Sequence, residues 1–268
     1  MLAITTELAA RLEHAEALDA ADCAEAEAQL HPETGAAVRA VAGGVLAFVG
    51  ADSPLTHALG LGMSGPVTAE QLDEVEEFFR SRGAQVTLDV CPCADHTLVE
   101  LVAARGYRIT EFSHVMVRAI APGESVASDS GGEIETRVAQ SHERELWART
   151  VVAGFFGRDA VTDEEFRTGR VLFDMANAIA LFASVGGEPA GCAAVSLRSG
   201  IASCFADSTL VRFRRRGVHR ALIAARVRIA AQRGCEFITA GTQPGSGSQR
   251  DYERLGFQVA YTKVTMTL

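Results

Sequence analysis

Residues Val211 to Leu222 read V-R-F-R-R-R-G-V-H-R-A-L, five arginines and one histidine around a single glycine. The stretch before it, Cys204 to Val211, has the make-up of a β-strand. After it Leu222, Ile223, Val227, Ile229 and Ala230 recur at helical spacing as far as Gly234. A glycine turn that opens a helix leaves several backbone N–H groups pointing one way without partners. Such a turn binds phosphate, and flanking arginines add charge. Gly217, Val218 and His219 would supply the turn, with Arg214, Arg215, Arg216 and Arg220 around it.

A second candidate, Cys91-Pro92-Cys93 followed by His96, is too tightly spaced for a zinc loop and lacks a fourth ligand, so no metal is expected. The six cysteines are scattered, which fits reduced thiols, several of them in the core.

The arginine cluster sits in an acidic chain. Its formal net charge is −9 over 268 residues, and Lys263 is the only lysine. Arginine therefore fills the ordinary surface roles, and only a dense cluster carries functional information. The cluster is short, with Phe213 as its one interleaved aromatic, so an extended nucleic-acid stripe is not expected. At 48% hydrophobic and 22% charged residues the composition is that of a globular protein. No apolar run approaches the roughly 20 residues of a membrane span. Early acidic residues (Glu7, Glu13, Glu16) do not suit a signal peptide, so a cytoplasmic protein is expected.

The elements that must position the turn recur along the chain. Arg82-Gly83 and Arg233-Gly234 each end a helix and begin a strand, and each strand runs into a proline, Pro92 or Pro244. A short helix ending in Gly106-Tyr107 or Gly256-Phe257 follows, then an alternating strand. These landmarks stand about 150 residues apart, the signature of two copies of one α/β unit. A Gly/Ser-rich segment over 121–132 reads as a linker between a domain at 1–120 and one at 133–268. In the first copy a hairpin is expected around Asp52-Ser53-Pro54, and about one strand is expected to be missing. In the second, helices are expected over 141–155 and 163–176, a hairpin around Gly186-Gly187, and Trp147, Phe155 and Phe156 in the core, with the wall of a substrate pocket as the less favoured alternative.

Arg214-Arg215-Arg216-Gly217-Val218-His219 resembles the acyl-CoA pyrophosphate loop of the GNAT superfamily, R/Q-x-x-G-x-G/A between a strand and a helix. His219 departs from it, standing where the family has Gly or Ala. Tyr252-Glu253-Arg254-Leu255-Gly256-Phe257 resembles the family's Y-x-x-x-G-F. The resemblance spans about Ile134 to Leu268. It implies two GNAT-like α/β domains, each a mixed, mostly antiparallel sheet flanked by helices. The first would be degenerate, with Val102 in the place of Tyr252 and no arginine–glycine turn. It further implies acetyl-CoA as co-substrate, held by the backbone of Asp207-Ser208-Thr209 and by Arg214 to Arg220, with strand Phe237–Thr242 splaying away to admit it. Tyr252 would be the general acid for the departing thiolate, and an N–H near Thr209 would face the oxyanion. Asp207, Glu236 and His219 remain alternative bases. Cys204 is the nearest cysteine for covalent transfer, which is less favoured than direct attack.

The expected function is thus an N-acetyltransferase acting on a small-molecule or peptide amine, without nucleic acid or membrane as partner, a homodimer being left open. The alternative is a non-catalytic acyl-CoA sensor or scaffold.

Overall fold

The computed structural model describes residues 2–121, 123–124 and 133–268. Most of the expected linker, Pro122 and 125–132, lies outside the described residues. The chain divides into two compact units, one comprising the residues up to Val115 together with Val259–Leu268, the other Met116–Gln258. Both are mixed α/β. Among the described residues no helix is long and apolar enough to cross a membrane.

The first unit opens with helix α1 (Thr6–Leu30), which Thr5 caps by accepting from Leu8 N–H at 3.1 Å. Small residues let α1 approach closely: Ala17 and Ala21 lie against Val45 and Leu59. Then come β1 (Ala37–Val41), β2 (Gly44–Phe48), β3 (His57–Leu59), α2 (Ala69–Arg80), β4 (Thr87–Val90), α3 (His96–Ala104) and β5 (Arg108–Ala119). Thr68 and Gln71 close a reciprocal capping box on α2. Strands β1–β2 and β2–β3 pair antiparallel, and β3–β4 pair parallel. The core gathers Leu46, Phe48, Leu72, Phe78, Phe79, Leu88 and Leu98.

Two details differ from the sequence reading. The expected hairpin pairs β2 with β3, but a tighter hairpin precedes it, with β1 and β2 joined through Ala42-Gly43. Strand β3 is only three residues long, and among the described residues no further strand stands between it and α2, where one was expected to be missing. Second, the C-terminal residues Val259–Leu268 belong to the first unit, not to a domain 133–268. Their strand pairs antiparallel with β4, Val264 opposite Val90, and lies between β4 and β5. Its inward side chains are polar and matched: Tyr261 donates to Glu13 at 2.8 Å, Lys263 to Glu16 at 2.6 Å, Thr265 to Asp89 at 2.7 Å.

The second unit contains β6 (Ile134–Val138), α4 (Arg144–Phe156), α5 (Asp163–Asp174), β7 (Ala178–Val185), β8 (Glu188–Arg198), β9 (Ile201–Thr209), α6 (Val218–Gln232), β10 (Phe237–Thr242) and α7 (Gly247–Arg254), followed by the C-terminal strand β11 (Gln258–Thr267). Strands β6 to β9 form an antiparallel run in chain order, and β10 joins β9 in parallel. Helix α4 buries Trp147 completely, its indole N–H donating to Leu181 O at 3.0 Å. Thr162 and Glu165 form the capping box of α5. Phe155 and Phe156, expected in the core, are instead 73% and 50% exposed. The helix ends directly after them, at Gly157 in the left-handed conformation.

Candidate active site

Strand β9 makes the site by losing its neighbours. Its parallel pairing with β10 runs from Ile201↔Phe237 to Cys204↔Ala240 and stops, although β9 continues to Thr209. On its other edge a bulge interrupts the ladder with β8: Cys192 faces Ser208 and Ala194 faces Phe205, one residue more on β9. Ala206 takes up the extra residue with φ +56°. Beyond this point a cleft of about 1070 Å³ opens, lined by Asp207, Ser208 and Thr209, by the arginine–glycine turn, and by the start of α7.

The turn has the backbone that the sequence predicts. Gly217 caps α6 with φ +91°, in the region that favours glycine, and Arg215 has φ +63°. The first helical bond runs from Ala221 N–H to Gly217 O at 3.0 Å, so the N–H groups of Val218, His219 and Arg220 precede it. Arg214 braces the turn from outside: its guanidinium donates to Gly154 O at 2.7 Å and to Thr209 O at 3.3 Å. Gly154 is required by a close approach, since a Cβ there would stand 2.1 Å from Ser208 Oγ. That hydroxyl donates to Val151 O at 2.7 Å, fixing the end of β9 on α4.

Behind the cleft wall lies a buried charged network. Arg226 of α6 is fully buried and donates to Asp207 Oδ1, to Ala194 O at 3.3 Å and to the Tyr252 hydroxyl at 3.2 Å. Tyr252, also fully buried, donates to Asp207 Oδ2 at 2.7 Å. The His219 ring lies edge-on to Tyr252 with centroids 5.6 Å apart. Its Nδ1 bonds Asp251 Oδ2 at 3.1 Å, while Nε2 stands 3.5 Å from Asp207 Oδ1, an ion-pair separation without hydrogen-bond geometry.

The ionisation states follow. Burial would push the Asp207 carboxyl up, but Arg226 and then His219 outweigh it and hold the group far below the usual carboxylate range. Burial would also discharge His219, but the carboxylates of Asp207 and Asp251 prevail and raise it to about 9. Burial drives the Tyr252 phenol well above its ordinary 10. Burial likewise pushes the Cys204 thiol up to about 11, which leaves it a poor nucleophile.

The structure thus brings Asp207, Ser208, Thr209, Arg214, Arg215, Gly217, Val218, His219 and Arg220 to one cleft. Arg216 does not reach it: its guanidinium lies 5.6 Å over the Phe213 ring and 3.9 Å from Glu133. Tyr252 sits beneath the wall, covered by His219, with no exposed surface. The Asp207 carboxylate serves Arg226 and Tyr252, and Glu236 does not line the cleft. Gln243, Arg250 and Arg254 line it without having been singled out from sequence, and Phe155 lines it in keeping with the less favoured of its two readings, a pocket wall. Arg226 was also missed. The signal for it was an arginine on the apolar face of α6, in step with Leu222 and Ile229.

Residues 144–257 match the acetyltransferase (GNAT) family model. The chain carries a GNAT acetyltransferase domain. Its matched segment contains the whole lining of the cleft. Among solved structures the chain is similar to a GCN5-related N-acetyltransferase from Kribbella flavida, at 18% identity and TM-score 0.64, over 91% of this chain and 94% of that one. It is also similar to a tandem GNAT protein from the clavulanic acid biosynthesis pathway, at 14% identity and TM-score 0.56, over 87% of this chain and 78% of that one. A GCN5-related N-acetyltransferase from Sphaerobacter thermophilus aligns at 19% identity and TM-score 0.56, over 74% and 66% of the two chains. At these identities the likeness is one of fold. No curated protein matches the sequence.

Proposed function

We propose that the GNAT domain binds acetyl-CoA in the cleft at the end of β9 and transfers the acetyl group directly to a primary amine, the first unit having no such role. The observation that carries this reading is the coincidence of five arginines (214, 215, 220, 250 and 254) and the unpaired start of α6 on one cleft. A nucleotide bearing a pyrophosphate and a phosphomonoester fits that charge, and a helix N-terminus suits the pyrophosphate. Bound acetyl-CoA supplies an activated thioester. The chain's part is to orient it along the unpaired edge of β9 past Cys204, where no β10 partner competes for the backbone groups.

Tyr252 enters this reading as proton donor to the departing thiolate only after its hydroxyl leaves Asp207. His219, cationic and bonded to Asp251, is the ionised group on the cleft surface next to it. A base is not supplied by Asp207, whose ion pair with Arg226 makes it a weak one. The amine therefore enters neutral or loses its proton to water.

The burial of Tyr252 also favours a second reading, a non-catalytic acyl-CoA sensor. One set of experiments separates the two. Acetyl-CoA is expected to raise the melting temperature of the wild type and not of Gly217→Glu, which adds a carboxylate to the turn and strains φ +91°. No shift with millimolar acetyl-CoA would sink both readings. A shift without thiol release across an amine panel would leave the sensor. Thiol release lost about 100-fold or more in Tyr252→Phe, at unchanged acetyl-CoA affinity, would assign the acid.

A further inference from the structure

The cleft carries positive charge at two separate places, and the turn accounts for only one. Arg214, Arg215 and Arg220 belong to the turn and the start of α6. Arg250 and Arg254 stand on α7, four residues apart and so on one face of that helix, and both line the same cleft. Neither is committed to the interior. Arg250 is exposed and donates to Gly245 O at 2.8 Å; Arg254 is 61% exposed at its side chain and donates to Asp251 at 3.1 Å. Asp251 has a second cation in His219, so Arg254 can turn to a ligand without leaving that carboxylate unpaired. Ser248 lines the wall beside them.

We propose that Arg250 and Arg254 form a second phosphate subsite that reads the 3′-phosphate of coenzyme A and so selects it over its dephospho form. This rests on the acyl-CoA reading above and deepens it. A phosphomonoester dianion accepts forked bonds from two guanidinium groups, whereas the pyrophosphate is already matched to the helix N-terminus. The two charge clusters then correspond to the two phosphate groups of one ligand. The second cluster rests on α7 and not on the turn, so the two are separable by mutation.

The test is calorimetric titration of the full-length chain with CoA and with dephospho-CoA, for the wild type, Arg250→Gln/Arg254→Gln, and Arg212→Gln. Arg212 belongs to the same arginine run but pairs with Glu188 and does not line the cleft, so it controls for general charge. The wild type is expected to bind CoA about tenfold more tightly than dephospho-CoA, a preference that shrinks as salt rises. The double variant is expected to lose that preference while keeping its affinity for dephospho-CoA, and Arg212→Gln to retain it. Equal binding of the two ligands by the wild type, or a preference that survives the double substitution or falls equally in Arg212→Gln, overturns the subsite and leaves the acyl-CoA reading standing. Absence of binding to either ligand overturns the acyl-CoA reading itself, and the subsite with it.

Discussion

The Tyr252 hydroxyl donates to Asp207 Oδ2 at 2.7 Å, from a ring with no exposed surface. The bond ties α7 to the bulged end of β9 and leaves the cleft face of Asp207 to His219. Tyr252→Phe removes one donor from a half-buried carboxylate that keeps Arg226. A loss of about 1–2 kcal/mol in denaturant unfolding is expected. Because Tyr252 does not line the cleft, its acetyl-CoA dissociation constant should stay within about threefold of the wild type, measured by titration. A larger affinity loss would mean that the ring is uncovered when ligand binds.

Asp207→Asn is a harsher change. It keeps the shape but leaves Arg226 fully buried without its carboxylate. Breaking a buried pair in this way costs about 3–5 kcal/mol. The double variant Asp207→Asn/Arg226→Met removes the stranded charge and should recover most of the loss. Urea unfolding of the three proteins checks this; a double variant no more stable than Asp207→Asn would show that Arg226 is held by more than Asp207.

The network also gives stability a pH dependence. His219 is raised from 6.5 to about 9 in the folded state. A histidine raised on folding contributes stability that is complete below pH 6.5 and is lost as pH rises through 9. The shift corresponds to a contribution on the order of 3 kcal/mol. His219→Gln should therefore be less stable than the wild type at pH 6, with the difference narrowing by pH 10. The unfolding free energies at pH 6, 8 and 10 measure it. A gap that stays constant with pH would mean that His219 is not charged in the folded protein.

In the first unit the only lysine of the chain is buried beside Glu13 and Glu16, at 3.6 and 2.6 Å. Burial pushes Glu13 up to about 7 even with Lys263 next to it. A carboxyl raised on folding favours the folded state most below its unfolded value near 4.5, and that advantage is lost as pH rises through 7. Lys263→Met removes the group that opposes this shift. It should cost about 3–5 kcal/mol at pH 8 and clearly less at pH 5, where Glu13 is neutral. Thermal unfolding at the two pH values tests this, and an equal cost at both would show that Glu13 does not take up the proton.

Much of the site could be located from local sequence because it depends on local backbone. A glycine with φ +91° between a strand and a helix is written in Arg214 to Arg220. So are the caps at Thr68, Thr162 and Ser246, though Gln249 turns its carbonyl oxygen to Gly245 N–H at 2.7 Å and not to the cap residue. The exposure of Phe155 and Phe156 was less legible. From Val151 onward their helix is uninterruptedly apolar, and its termination at Gly157 leaves them outside the core. The hairpin of β1 and β2 was not read from sequence: Ala42-Gly43 makes its two-residue turn with φ +50° and +78°, and alanine does not advertise such a turn.

The sequence by itself determined where an anion would bind, since the order of strand, arginine–glycine turn and helix places free N–H groups and charge together whatever the rest of the chain does. Tertiary structure decided what the remaining groups can do. Arg226, Asp207, Tyr252 and His219 come from two helices and a bulged strand, and only their packing buries the tyrosine, charges the histidine and occupies the aspartate. Tertiary structure likewise assigned Val259–Leu268 to the first unit, through Tyr261, Lys263 and Thr265 meeting Glu13, Glu16 and Asp89. Those partners stand about 170 to 250 residues away, and no local pattern records a pairing over that distance.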